Sequence, residues 1–182
     1  MKKLIVLASA MMLGSMFSCT NPPAADAKEK QDEERNRANV MSVYKGIETG
    51  DMSKMDGFMA DDAIDHSSMG DIKSRDSIKN MLSGIHNHFT GMKFDVIAEG
   101  TATGGEYYFT LVRLTGTTKD ASMGMPANTP VDMQSIDLVK MKDGKVTDHW
   151  EYQLVKDMMK MMEAQKSMMP PANMPKDTAM KK

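Results

Sequence analysis

The sequence predicts an α+β domain in which a mostly antiparallel sheet wraps over helices. Three observations carry that expectation. Two alternating runs, 130–142 and 145–154, flank an Asp143-Gly144 step. Asp-Gly between alternating apolar residues is the strongest short-range hairpin signal, because a type I′ turn needs positive φ. Apolar stripes at helical spacing dominate the first half of the chain, and strand-type alternation dominates the second. At 182 residues, 41% of them apolar, the chain is long enough for one sizeable core.

Taken in order, residues 20–37 are rich in Pro, Ala, Lys, Glu, Asp and Gln and read as a solvated tether. From Asn36 onward Val40, Val43, Tyr44 and Ile47 fall at helical spacing, and Gly50 closes that helix. Asp51 can cap a short second helix with a Met52, Met55, Phe58, Met59 stripe. An extended run over 61–65 leads to His66, and 67–72 reads as a loop. Ser74 or Asp76 caps a third helix carrying Ile78, Met81, Leu82, Ile85 and Phe89, ended by Gly91. Strands follow over 92–99 and 106–118, then a loop over 119–129 and the hairpin. Val155, Met158, Met159 and Met162 predict a closing helix, and a Met, Pro and Lys tail over 165–182 reads as disordered.

The hairpin holds the main chemical clue. Alternation puts Val131, Met133, Ser135, Asp137, Val139 and Met141 on one face of its first strand. In the second it puts Val146, Asp148, Trp150, Tyr152 and Leu154 together, with His149 and Glu151 on the opposite side. Asp137 and Asp148 thus lie on largely apolar faces, where an acid costs several kcal/mol unless it is paired or neutralised. A pocket follows as the expectation.

The N-terminus has the form of an export signal over 1–18. Lys2-Lys3 precede an apolar stretch from Leu4 to Leu13, too short to span a bilayer. Cys19, the only cysteine, follows Met16-Phe17-Ser18 and resembles a bacterial lipobox. The expectation is a mature chain starting at Cys19, lipid-anchored to a bacterial cell-envelope membrane, with 19–35 as its tether. Lys and Arg number 23 against 25 Asp and Glu. With no basic block, nucleic acid is not an expected partner.

The order of elements, with specific steps in the sequence, resembles the SnoaL-like branch of the nuclear transport factor 2-like superfamily. Those steps are Gly50-Asp51, Asp61-Asp62-Ala63, Asp65-His66, Gly124-Met125-Pro126 and Asp143 to Trp150. The resemblance covers 36–164. It implies a cone-shaped fold, a curled sheet over three helices with a C-terminal helix added, and a ligand pocket inside. Relatives include polyketide cyclases and ketosteroid isomerase, but many members are binding or accessory domains, so fold alone decides little about function.

Within such a cone, Asp148, Asp137 and His66 are the candidate acid–base groups. Tyr44, Asp65, Tyr107, Phe109, Arg113 and Trp150 join His66 as candidate pocket residues. The structural alternative is a buried acid satisfied by Arg113, Tyr107 or a helix N-terminus, and a histidine that is simply pocket wall. His86 reads as a helix-edge residue, and His149 as pointing outside the pocket. No His/Cys spacing supports a metal, and no phosphate or dinucleotide motif implies a cofactor. The 23 methionines could include Cu(I)-binding thioethers near the C-terminus, but their spread through the whole chain reads as a compositional preference. The expected function is binding of a small apolar or amphipathic molecule. An acid–base enzyme and a scaffold that forms a homodimer through the open sheet face are the alternatives.

Overall fold

The computed structural model describes residues 24–67, 70–102, 104–121 and 124–168. The predicted export signal and Cys19, and the tail beyond Met168, lie outside the described residues. Helix α1 runs Ala24–Thr49, and a single 3-10 turn, Ser53–Gly57, stands where a short second helix is predicted. Strands β1 (Met59–Ser67) and β2 (Gly70–Lys73) precede helix α2 (Arg75–Ile85) and a second 3-10 turn, His86–His88. Strands β3 (Phe89–Thr101), β4 (Tyr107–Thr118), β5 (Pro130–Lys142) and β6 (Lys145–Gln153) then lead into helix α3 (Val155–Met168).

One six-stranded sheet has the order β2-β1-β6-β5-β4-β3, antiparallel except for the parallel β1–β6 pair. The chain therefore has the expected α+β cone, its curled sheet closing over α1 and α2. Asp143 and Gly144 have φ of 51° and 76°, so the hairpin turns where the sequence places it. The core gathers the helix stripes and the concave sheet face: Met55, Ile78, Phe89, Tyr108 and Val112 are all buried. Helix α2 starts at Ser74, whose hydroxyl accepts from the Ser77 amide at 3.4 Å.

Several local expectations need correction. The stretch read as a flexible tether is helical from Ala24, because it is contiguous with the apolar stripe that anchors α1 against β3. The loop over 67–72 contains β2, which pairs antiparallel with β1 and covers that sheet edge. Gly91 does not end a helix. It sits in β3 with φ 63°, at a register shift between Thr90 and Lys93, where positive φ lets the strand bulge. Phe89 accordingly opens β3 rather than closing α2. The last helix continues through 165–168, into the stretch read as tail. It is fixed by Asp157, buried, which accepts from the Gln134 amide at 3.1 Å.

One irregularity decides the site. Lys140 pairs with Asp148 but Met141 pairs with Val146, which leaves Thr147 as an extra residue in β6. A bulge of one residue moves every later side chain to the opposite face. Val146 points inward, and so do His149, Glu151 and Gln153 beyond the bulge. Asp148, Trp150 and Tyr152 are turned outward.

Candidate functional site

The concave face and the helices enclose a cavity of ≈ 200 Å³. Val40, Val43 and Ile47 from α1, Leu82 and Ile85 from α2 and Met133 from β5 give it largely apolar walls. Each comes from a stripe that alternation or helical spacing directs inward. One wall is polar, built by α1, β1, β4, β5 and β6 together. Tyr44 donates to Asp137 Oδ2 at 2.5 Å, and its oxygen lies 2.6 Å from Thr110 Oγ1. His149 donates from Nδ1 to Asp65 Oδ2 at 3.0 Å and turns Nε2 towards Asp137 Oδ1 at 3.9 Å. Glu151, with Ser135 as a hydrogen-bond partner, stands next along β6.

Charge sets the protonation of this wall. Burial alone would drive the His149 imidazole to its neutral form. Asp137 and Asp65 outweigh burial, and the pKa is pushed up to about 10, so the ring is an imidazolium at neutral pH. Glu151 is a solvent-exposed residue at the rim of this wall, where partial desolvation and the negative charges of Asp137 and Asp65 raise its pKa, against the pull of His149 and Ser135. Burial and the neighbouring Asp137 also raise the pKa of Tyr44, which keeps its proton. The arrangement therefore offers a fixed cation, a phenol donor and a carboxyl shifted towards neutrality beside an apolar chamber. Such groups can hold a polar head or exchange a proton with it.

Of the residues singled out from the sequence, Tyr44, Asp65 and Asp137 line the cavity. Asp148, His66, Trp150, Tyr107, Phe109 and Arg113 do not. Asp148 and Trp150 leave because of the Thr147 bulge, and His66, on the face opposite Asp65, goes with them. On the outside His66 bridges Asp71 at 3.1 Å and Asp148 at 3.2 Å and stacks on Trp150 at 4.7 Å between ring centroids. The bond from Asp148 leads the effects that raise the His66 pKa. Asp148 also accepts from Thr147 at 2.8 Å, which with His66 outweighs burial and holds its pKa below the usual carboxylate range. It is a satisfied ionised carboxylate on the outer face.

Tyr107 lies 6.4 Å from Trp150 on that same outer face, with Lys140 Nζ 5.8 Å above its ring. Arg113 forms a two-pronged pair with Asp132 at 2.7 and 2.6 Å, not with a buried acid. Phe109 is partly exposed, and its ring approaches Gly100 on β3. His149 and Glu151 are the site residues that the sequence misplaces. Their one signal is indirect: an acid at 65 on an inward face calls for a cation, and none lies on that face of β1. Among the described residues, no group of three or more His, Cys, Asp or Glu is placed to hold a metal ion.

Residues 38–164 match the model of the SnoaL-like polyketide cyclase family. The chain belongs to that family. Among solved structures, the SnoaL-like domain is similar to a protein of Jannaschia sp. CCS1 assigned as a SnoaL-like polyketide cyclase. The TM-score is 0.62 at 18% identity, covering 76% of this chain and 95% of that one. IdmH of Streptomyces antibioticus, assigned as a polyketide cyclase, gives 0.57 at 20%, covering 70% and 97%. AclR of Streptomyces galilaeus, assigned as a hydroxylase, gives 0.57 at 17%, covering 71% and 96%. At these identities the likeness is one of fold. No curated protein matches the chain.

Proposed function

We propose that this SnoaL-like domain binds a small, mostly apolar molecule, seating its polar head on the wall formed by Glu151, His149, Asp137 and Tyr44. The observation that carries this is the pairing of an apolar chamber with one wall that holds all its charged groups, the usual composition of a small-molecule site. We further read Cys19 as a lipid-anchored N-terminus that holds the domain on an exported face of the cell envelope. The outer sheet face, where Phe109, Ile136 and Tyr152 are exposed, is read as the contact for a second copy of the chain. Native mass spectrometry of protein purified from its own host reads all three. The expected spectrum shows a retained small molecule, a diacylglycerol-sized mass on Cys19 and a dimer. A monomer without ligand or lipid would remove each claim in turn.

Val139 offers a separate check. Its side chain is buried against the cavity two residues from Asp137 on β5. Val139→Phe should fill part of the chamber and cut ligand occupancy by about tenfold or more, at a stability cost of about 1–3 kcal/mol. Undiminished ligand carry-over in that variant would move the site elsewhere.

A second reading, acid–base catalysis, is favoured by the position of Glu151, which lines the cavity close to the His149 imidazolium and has its pKa raised there. Glu151 would exchange the proton, His149 would stabilise negative charge developing on a substrate oxygen, and Asp137 and Tyr44 would hold the ring in place. The names carried by the structural neighbours, polyketide cyclase and hydroxylase, point to carbonyl and hydroxyl chemistry of that general kind.

A further inference from the structure

We propose that the cavity selects an amphipathic amine, a cationic head on an apolar body, over an alcohol or carboxylate of the same shape. This deepens the binding reading above and rests on it. The first ground is the inventory of the polar wall. Asp65, Asp137 and Glu151 bring three carboxyl groups, and only His149 brings a positive charge. No lysine or arginine lines the cavity among the described residues. The hydrogens on that wall are directed at its own carboxylates, the imidazolium Nε2–H included, which faces Asp137 Oδ1 at 3.9 Å. Tyr44 donates to Asp137, and His149 Nδ1 donates to Asp65. What remains is surplus negative charge and unused lone pairs.

The second ground is independent of that cluster. Asn36, also lining the cavity, is 2% exposed, yet its Oδ1 accepts no hydrogen bond from any described group. A buried carbonyl oxygen left without a donor costs about 1–3 kcal/mol, so one is rarely kept without a reason. Asn36 stands eight residues before Tyr44 on α1, about 12 Å along the helix at 1.5 Å per residue. Val40 lies between them. An unpartnered acceptor, Asn36 Oδ1, thus stands at one end of this stretch of α1, and the Asp137 carboxylate at the other beside Tyr44. A guest that brings N–H groups satisfies them. A guest that brings a carboxylate meets the like charge of Asp65 and Asp137, both largely shielded from solvent, where repulsion is less screened.

The pH response has a fixed sign. The titratable groups facing Glu151 are Asp137 from β5, Asp65 from β1, His149 from β6 itself and Tyr44 from α1, with Asp157 of α3 across a small adjoining cleft; α2 and β4 add no charged group to the lining. His149 stays protonated to about 10, and an alkylammonium, like a lysine side chain, keeps its charge to about the same pH. Glu151, its pKa raised above the ordinary carboxylate value, is the wall group whose ionisation is displaced to higher pH. Its ionisation adds a negative charge for the amine to meet, so amine affinity rises with pH.

The test is calorimetric titration of the full chain with hexylamine, 1-hexanol and hexanoate at pH 5 and pH 8, in wild type and in Glu151→Gln. Hexylamine should bind about tenfold more tightly than hexanol at pH 8, with hexanoate weakest, and about tenfold more tightly at pH 8 than at pH 5. Glu151→Gln should lose most of that pH response and preference, with an unchanged urea midpoint reporting an intact fold. Hexanol or hexanoate binding as well as hexylamine would overturn the amine preference and leave the binding reading standing. If none of the three binds, the binding reading falls too.

Discussion

His149→Gln lowers folding stability by about 3 kcal/mol at pH 7, measured by urea denaturation. The estimate follows from what the substitution leaves behind. Asp65 is 7% exposed and Asp137 is partly buried, and the imidazolium between them is the positive charge among the cavity-lining residues. Breaking a buried pair by deleting one partner typically costs about 3–5 kcal/mol, because the remaining charge is uncompensated. Glutamine can still donate one hydrogen bond, which puts the expected cost at the low end. The pH profile separates loss of charge from loss of packing. His149 has a folded pKa of about 10 against an ordinary 6.5. The stability it contributes is fully present below about pH 6.5 and is lost as pH rises towards 10. His66 and Glu151, both raised, add losses of the same sign, that of Glu151 beginning at lower pH. The difference between wild type and His149→Gln should therefore be largest below pH 6.5 and shrink steadily by pH 10. A difference that stays constant across that range would mean that the ring acts as a spacer only.

Phe89→Ala is the second large effect, expected at about 3–5 kcal/mol. Phe89 is 2% exposed, opens β3 directly after the second 3-10 turn, and packs into the core that joins β3 to the helices. The loss combines the transfer energy of the ring with the gap that it leaves. Its ring also borders the existing cavity, so truncation opens the gap into the chamber rather than creating a sealed void. The expected signature is a large fall in the urea midpoint together with accommodation of bulkier guests. A cost below about 1 kcal/mol would show that the surrounding side chains collapse into the space, and that this end of the chamber is not rigid.

Phe89 also shows how far the sequence can be trusted locally. Its burial was legible from its position on an apolar stripe, but its element was not. Helical spacing from Ile78 through Ile85 extends naturally to residue 89, and only the pairing of Phe89 with Thr118 makes it the first residue of a strand. Similarly, the hairpin turn at Asp143-Gly144 could be read directly because it is a local matter of φ. The inward face of β5 was right for the same kind of reason: no irregularity interrupts its alternation between Val131 and Val139, and Asp137 therefore lines the cavity.

The second hairpin strand failed because its two faces look alike. Trp150 and Tyr152 are as apolar as a core face, and they alternate cleanly with Val146, so nothing in the residues announces the Thr147 bulge. The outer face of the sheet is itself rich in apolar and aromatic side chains, including Phe109, Ile136 and Tyr152. With both faces attractive, hydrophobic pattern cannot choose between them.

By itself, then, the sequence determined the α+β class, the helix stripes, the hairpin turn and the place of Asp137 on an inward face, because propensity, periodicity and turn chemistry act over a few residues. The tertiary structure alone decided which histidine meets Asp137 and Asp65. That choice depends on a single extra residue in β6 pairing across two strands distant in sequence, where one step of register exchanges His149 and Glu151 for Asp148 and Trp150.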